Sequence, residues 1–263
     1  MRPPEFTSIS TRLVDSIQYI TLNRPETRNA FDEVMISELC RAIEIASETQ
    51  AVRVIVITGA GTAFSAGANI DWMRRMGVAD FETNYQDALG LAQMLDAIAT
   101  SPKPTVAKVN GPAIGGGTGI VAACDIAIGV DTSFFSFSEV KIGLVPACIA
   151  PHVMRKVGEG RSRELFITGR RIQAEEALQF GLLNFVAPTD KFEVEVEELL
   201  KQLLTSGPAA ISSAKRLVRA IPDMYREESI AFTVRMIAEL RTSKEGREGT
   251  AAFLAKRKPF WVA

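Results

Sequence analysis

Thr105-Val106-Ala107-Lys108-Val109-Asn110-Gly111-Pro112-Ala113-Ile114-Gly115-Gly116-Gly117-Thr118-Gly119-Ile120-Val121-Ala122-Ala123 reads as a strand, a turn of small residues and then an apolar helix. Small residues let backbone N–H groups approach a ligand closely, and a helix start leaves N–H groups unpaired and favourably oriented for negative charge. The same design occurs once upstream. There, residues 52–58 run as a Val/Ile-rich strand into Gly59-Ala60-Gly61-Thr62-Ala63-Phe64-Ser65-Ala66-Gly67-Ala68-Asn69, and Ile70, Trp72, Met73 and Met76 follow at helical spacing. Two such turns facing each other would form an oxyanion hole. The competing reading is that the glycines only permit tight packing or positive φ.

Outward from these turns, β-rich runs recur at residues 16–22, 105–109, 125–130, 134–137 and 182–186, several without polar alternation, as expected of strands covered on both faces. Residues 32–49 place Met35, Ile36, Leu39, Cys40, Ile43 and Ala46 at helical spacing behind acidic Asp32 and Glu33. A further helix is predicted over 81–99, ended by Ser101-Pro102-Lys103-Pro104. From Lys191 onward the pattern is helical alone: 192–205, 209–220, 227–241 and 245–255, broken at Gly207-Pro208 and Pro222. The expectation is an α/β region over residues 1–190 carrying the site and an all-helical region over 191–263. An exposed Phe260-Trp261 pair at the end would be costly, so it is expected to dock on a neighbouring element or subunit.

A chain of 263 residues with net charge -1 and 47% hydrophobic content is long enough for one main domain and gives no global electrostatic reason for a nucleic-acid or membrane partner. No apolar run is long enough to span a bilayer, and the first residues have neither a signal-peptide core nor transit-peptide character, so a cytoplasmic location is expected. Cys40, Cys124 and Cys148 are widely spaced in apolar stretches and read as reduced thiols, with no metal site. His152 is the only histidine, which leaves a nucleophilic triad poorly supplied. A dinucleotide reading of Gly117, Gly119 and Ala122, with Glu139 about 20 residues on, is weak because Asn110 to Gly116 separate the glycines from the strand.

Taken together the motifs resemble the enoyl-CoA hydratase/isomerase (crotonase) family. The resemblance is carried by Arg28-Asn29-Ala30-Phe31, Phe64-Ser65-Ala66-Gly67-Ala68-Asn69, the glycine run quoted above through Cys124-Asp125-Ile126, and Phe137-Ser138-Glu139-Val140-Lys141-Ile142-Gly143-Leu144-Val145-Pro146. Thr168-Gly169-Arg170-Arg171-Ile172, Ala174, Gly181-Leu182 and terminal Lys256-Arg257-Lys258-Pro259 extend it over nearly the whole chain. It implies an α/β spiral of ββα units followed by helices that trimerise, commonly into hexamers. It also implies acyl-CoA substrates, that is, coenzyme A thioesters, with no permanently bound cofactor.

By motif position, the resemblance makes the amides of Ala68 and Gly116 the oxyanion hole and Glu139 the proton carrier. Ala30, Ala66, Asn69, Ile70, Trp72 and Gly115 fall in its substrate-binding segments, and Arg28 with Lys256 or Lys258, the lysines reaching from the same or a neighbouring subunit, would meet the CoA phosphates. Amide donors suit this chemistry because negative charge develops on the thioester oxygen, and each preorganised donor contributes about 3–4 kcal/mol. Family hydratases typically use two glutamates, and the first falls here at Gly119. A hydratase acting through Glu139 alone, a 3-enoyl to 2-enoyl-CoA isomerase and a non-catalytic CoA-binding oligomer all stay open. Gly119 and Pro146-Ala147-Cys148-Ile149-Ala150 lean toward the bacterial methylglutaconyl-CoA hydratase-like branch, in which Arg74 or Arg75 would meet a distal carboxylate.

Overall fold

A computed structural model describes residues 5–262. Six strands form the main sheet: β1 (Ile9–Val14), β2 (Ile17–Leu22), β3 (Val54–Gly59), β4 (Thr105–Val109), β6 (Ile126–Val130) and β9 (Phe185–Ala187), in the order β1-β2-β3-β4-β6-β9. The β1–β2 pair is an antiparallel hairpin and every later pairing is parallel. A smaller sheet joins β5 (Ala113–Ile114), β7 (Phe134–Ser136) and β8 (Arg171–Gln173). The helices are α1 (Glu33–Glu48), α2 (Ile70–Met76), α3 (Phe81–Thr100), α4 (Gly116–Ala123), α5 (Ala150–Thr168), α6 (Ala174–Gln179), α7 (Phe192–Leu204), α8 (Pro208–Ala220), α9 (Arg226–Thr242) and α10 (Lys244–Leu254).

The parallel strands lack polar alternation because both faces of the sheet are covered. Ile55 and Ile57 of β3 point into a core with Met35, Leu39 and Ile43 of α1, Leu95 and Ile98 of α3, and Val121 of α4. Val54 and Val56, one residue out of phase, pack instead with Val106, Ile128, Phe192, Val196 and Leu200. Strands end at β9, yet α7 is a layer of the sheet's own packing. The sequence reading passed over β1 and α5. Only Ile9 of β1 is buried, so an edge strand with five exposed positions shows no apolar face. Helix α5 contains Pro151 in its first turn and a non-helical Gly158 at φ 78°, signals that read as breaks.

Beyond α7 burial thins: α8 buries no residue, α9 only Met236 and α10 only Ala252. Polar ties hold this part down. Arg53, at the entry to β3, donates from Nη1 to the Trp261 carbonyl at 2.8 Å and from Nη2 to the carbonyls of Leu204 at 3.2 Å and Ser206 at 2.6 Å. Trp261 in turn donates its indole N–H to the Thr205 carbonyl at 3.1 Å, so the terminal aromatic docks on its own chain, while Phe260 is exposed. Lys215 of α8 pairs with Asp125 at 2.6 Å. Among the described residues no helix is long and apolar enough to cross a membrane.

Arg53→Ala removes three hydrogen bonds from a charged donor to carbonyls. It is expected to lower unfolding free energy by about 2 kcal/mol in denaturant titration, with the C-terminal helices losing amide-exchange protection first.

Candidate active site

Three chain segments are stitched side by side. Ala66 N donates to Arg28 O at 2.9 Å, Phe31 N to Gly67 O at 2.8 Å and Asn69 N to Phe31 O at 2.9 Å, which lays residues 65–69 along residues 28–31. On the other side, Phe64 N and Ser65 N both donate to Pro112 O, and Ile114 N donates to Ser65 O at 2.9 Å. The two small-residue turns are therefore neighbours. Gly67, at φ 85°, backs onto Ile114, whose carbonyl would lie 2.8 Å from any Cβ there, so the close approach excludes a side chain.

Within this lattice the amides of Ala68 and Gly116 donate to no group among the described residues, although Gly67 N, Asn69 N and Gly115 N all do. Gly116 opens α4, where an unpaired N–H is intrinsic to the helix start. Both residues border a cavity of about 590 Å³.

Register places the carboxylate. Strand β5 pairs in parallel with β7, matching Ile114 to Ser136, and Gly115 N donates to Ser136 O at 2.8 Å. Three residues beyond Ser136, Glu139 enters the short 3-10 turn Ser138–Ile142 and returns to the glycine run. A Cβ on Gly115 would sit 3.1 Å from Glu139 Oε1, and Gly115 is at φ 54°. Oε2 of Glu139 is buried without a hydrogen-bond partner. Burial outweighs the opposing interaction with the residue's own backbone amide and pushes this carboxyl above the ordinary glutamate value of 4.5.

A family model described as enoyl-CoA hydratase/isomerase matches residues 12–263. The chain belongs to the enoyl-CoA hydratase/isomerase family. An enoyl-CoA hydratase from Shewanella pealeana superposes at TM-score 0.94 with 34% identity, covering 98% of this chain and 97% of that one. The rat enoyl-CoA hydratase domain-containing protein 3, mitochondrial, is 32% identical across 96% of this chain and 83% of its own length. An enoyl-CoA isomerase/hydratase of Mycosarcoma maydis is 30% identical across 96% and 95%. The chain is thus an enzyme of this family with its α/β fold, and the dinucleotide reading falls away.

The structure gathers some of the residues singled out by the sequence and not others. Ala66, Ala68, Trp72, Gly115, Gly116 and Glu139 line the cavity. Ala30 is buried outside it, and Ile70 is 67% exposed. The Asn69 side chain caps α2, accepting from the amides of Asp71 and Trp72 at 2.9 and 3.1 Å. Arg28 and Lys256 are exposed. Of the two readings of Arg74 and Arg75, a partner for a distal carboxylate or solvated surface, the structure fits the second: Arg74 pairs with Asp71 at 2.8 Å, Arg75 with Glu33 at 2.5 Å, and neither lines the cavity. His152 stands outside it on α5, near Asp96 and Arg155, its pKa lowered by burial.

At Gly119 the missing glutamate has a physical counterpart. A Cβ there would lie 2.2 Å from Ile149 Cγ2, 2.9 Å from Ile149 Cβ and 3.7 Å from Leu95 Cδ2. Ile149 occupies the room that a side chain at position 119 would take. The sequence reading also missed Asp87, a cavity residue on α3 that accepts from Trp72 Nε1 at 2.9 Å.

Gly115→Ala both strains a left-handed backbone position and crowds Glu139. Turnover is expected to fall by about 100-fold or more with an unfolding penalty of only about 1–2 kcal/mol, read by comparing kcat with denaturant titration.

Proposed function

We propose that this enzyme is a cytoplasmic hydratase adding water to a short or branched 2-enoyl-CoA, with the amides of Ala68 and Gly116 as oxyanion hole and Glu139 as sole acid/base. One observation carries the reading. A carboxylate whose buried Oε2 has no hydrogen-bond partner stands beside Gly115, in the same cavity as two amides that have no acceptor among the described residues.

The chemistry follows from charge and proton balance. With the thioester oxygen accepting from both amides, the Glu139 carboxylate takes a proton from water as its oxygen bonds to C3, and the C2–C3 π electrons move onto the thioester as an enolate. Glu139, now protonated, returns that proton to C2, collapsing the enolate to the 3-hydroxyacyl ester and restoring the carboxylate. A carboxyl with a raised pKa suits both halves, being closer in acidity to the groups with which it exchanges the proton. The cavity beyond Glu139 is walled largely by apolar side chains, which suits an acyl chain.

A second reading rests on Ile149. With its side chain and Leu95 where a second carboxylate would project, Glu139 stands without a partner carboxylate beside it, fitting a base that moves a proton between C2 and C4 of a 3-enoyl ester. Methylglutaconyl-CoA is the carboxylated member of the hydration candidates. Arg28, exposed on the segment that bonds Ala66, would meet a CoA phosphate, and no resident cofactor enters the scheme.

Lys256 would reach a CoA phosphate across a subunit boundary. Val218, Tyr225, Ile230, Val234, Phe253 and Leu254 are exposed on α8–α10 and their connections, an apolar surface that fits a homotrimer or a dimer of trimers. Three free thiols, Cys40, Cys124 and Cys148, fit a reducing compartment.

Glu139→Gln keeps shape and deletes the charge. Turnover is expected to drop by about 10³-fold or more, while CoA-ester binding persists; unchanged turnover rejects the mechanism. In the wild type, kcat/KM should rise with pH through an ionisation above 4.5. The linked stability has the opposite sense: ionised Glu139 is disfavoured in the fold, so stability is full below the unfolded pKa and declines as pH rises through the shifted one. Hence Glu139→Gln should unfold no more easily than wild type at neutral pH.

Turnover in labelled water separates the two reactions, since hydration incorporates oxygen and isomerisation does not. Gly119→Glu alone is expected to destabilise the protein by several kcal/mol, about 3 or more, through collision with Ile149. Joined to Ile149→Gly, it should fold better than the single variant and raise hydration relative to double-bond migration.

A further inference from the structure

The acyl end of the cavity has a charge pattern that the reaction does not require. Its lining, among the described residues, contains no Lys, Arg or His and two acids, Glu139 and Asp87. Glu139 stands at the reacting carbons and meets every substrate. Asp87 lies elsewhere, on α3, against Trp72 of α2 and near Cys148 of the loop that closes the cavity from the opposite side.

The Asp87 carboxylate is half satisfied. Oδ1 accepts the Trp72 indole N–H at 2.9 Å, and Oδ2 has no hydrogen-bond partner among the described residues. Nearby charges do not neutralise it. Arg75 is the cation within electrostatic reach, but its guanidinium pairs with Glu33 at 2.5 Å, so the two largely cancel at Asp87. Partial burial raises the Asp87 pKa, while the Trp72 bond opposes that rise. The same residue borders a second cavity of about 370 Å³ between α1 and α3.

We propose that Asp87 selects the acyl group: the cavity admits an uncharged acyl chain and rejects one ending in a carboxylate. This rests on the acyl-CoA reading above and deepens it, since a distal carboxylate would leave water for a pocket with no cation in its lining and the half-satisfied acid Asp87 on its wall. An uncharged chain meets Trp72, Met73, Met76 and Leu91 at no such cost. The inference decides against methylglutaconyl-CoA within the hydration candidates.

The test uses the full-length wild-type enzyme and two unreactive saturated esters of equal chain length, pentanoyl-CoA and glutaryl-CoA, which differ in a terminal methyl against a carboxylate. By calorimetry or by competition against turnover, glutaryl-CoA is expected to bind at least about tenfold more weakly. Asp87→Asn keeps the shape and an acceptor for Trp72, and should narrow the ratio to within about threefold. Equal binding of the two esters to the wild type overturns the proposal without any variant. A folded Asp87→Asn protein, checked by its melting curve, that retains the full ratio removes Asp87 from the role. Binding of neither ester overturns the acyl-CoA reading itself, an outcome distinct from equal binding of both.

Discussion

The site depends on a backbone lattice in which Ser65 receives from Ile114, Pro112 receives from Phe64 and Ser65, and Phe31 exchanges bonds with the Gly67–Asn69 segment. Nearly every amide there is used, which holds two turns close enough to share one cavity. Among the described residues the amides of Ala68 and Gly116, both on the cavity, are left without an acceptor. A donor aimed at developing charge is effective when it needs no reorganisation, and rigidity of this kind comes from the surrounding bonds rather than from the donor. The glycines are the steric condition for the lattice, since Gly67 and Gly115 face backbone or carboxylate where a methyl group would stand.

How much of this could be read beforehand depended on range. The turns and the strands feeding them are local patterns, and the unbroken Val/Ile runs of β3 and β6 announced burial on both faces because α7 and the α1–α3–α4 layer cover opposite sides. Glu139 was legible through its motif. Its pairing with Gly115 was not, because it follows from β5–β7 register across more than twenty residues. Helix α4 starts at Gly116, earlier than its apolar residues suggest, so that the glycine run is itself the helix start.

Asp87 shows the opposite limit. In the sequence it is one acid among the polar residues of a long helix whose buried positions, Met94, Leu95 and Ile98, lie later. It reads as a solvated face. Only the loop of residues 142–149 folding over α3 makes that face the wall of a cavity, and nothing within α3 encodes the loop's arrival. Arg74 and Arg75 failed in the converse way: placed one helix turn from a pocket, they point outward to Asp71 and Glu33.

Ile149 and the bare Cα of Gly119 occupy one volume between them. A side chain at position 119 and an isoleucine at 149 exclude one another. Changing either position alone therefore costs a collision or a void, so what keeps an acid out of position 119 is the hydrocarbon of Ile149 rather than any polar group of the cavity.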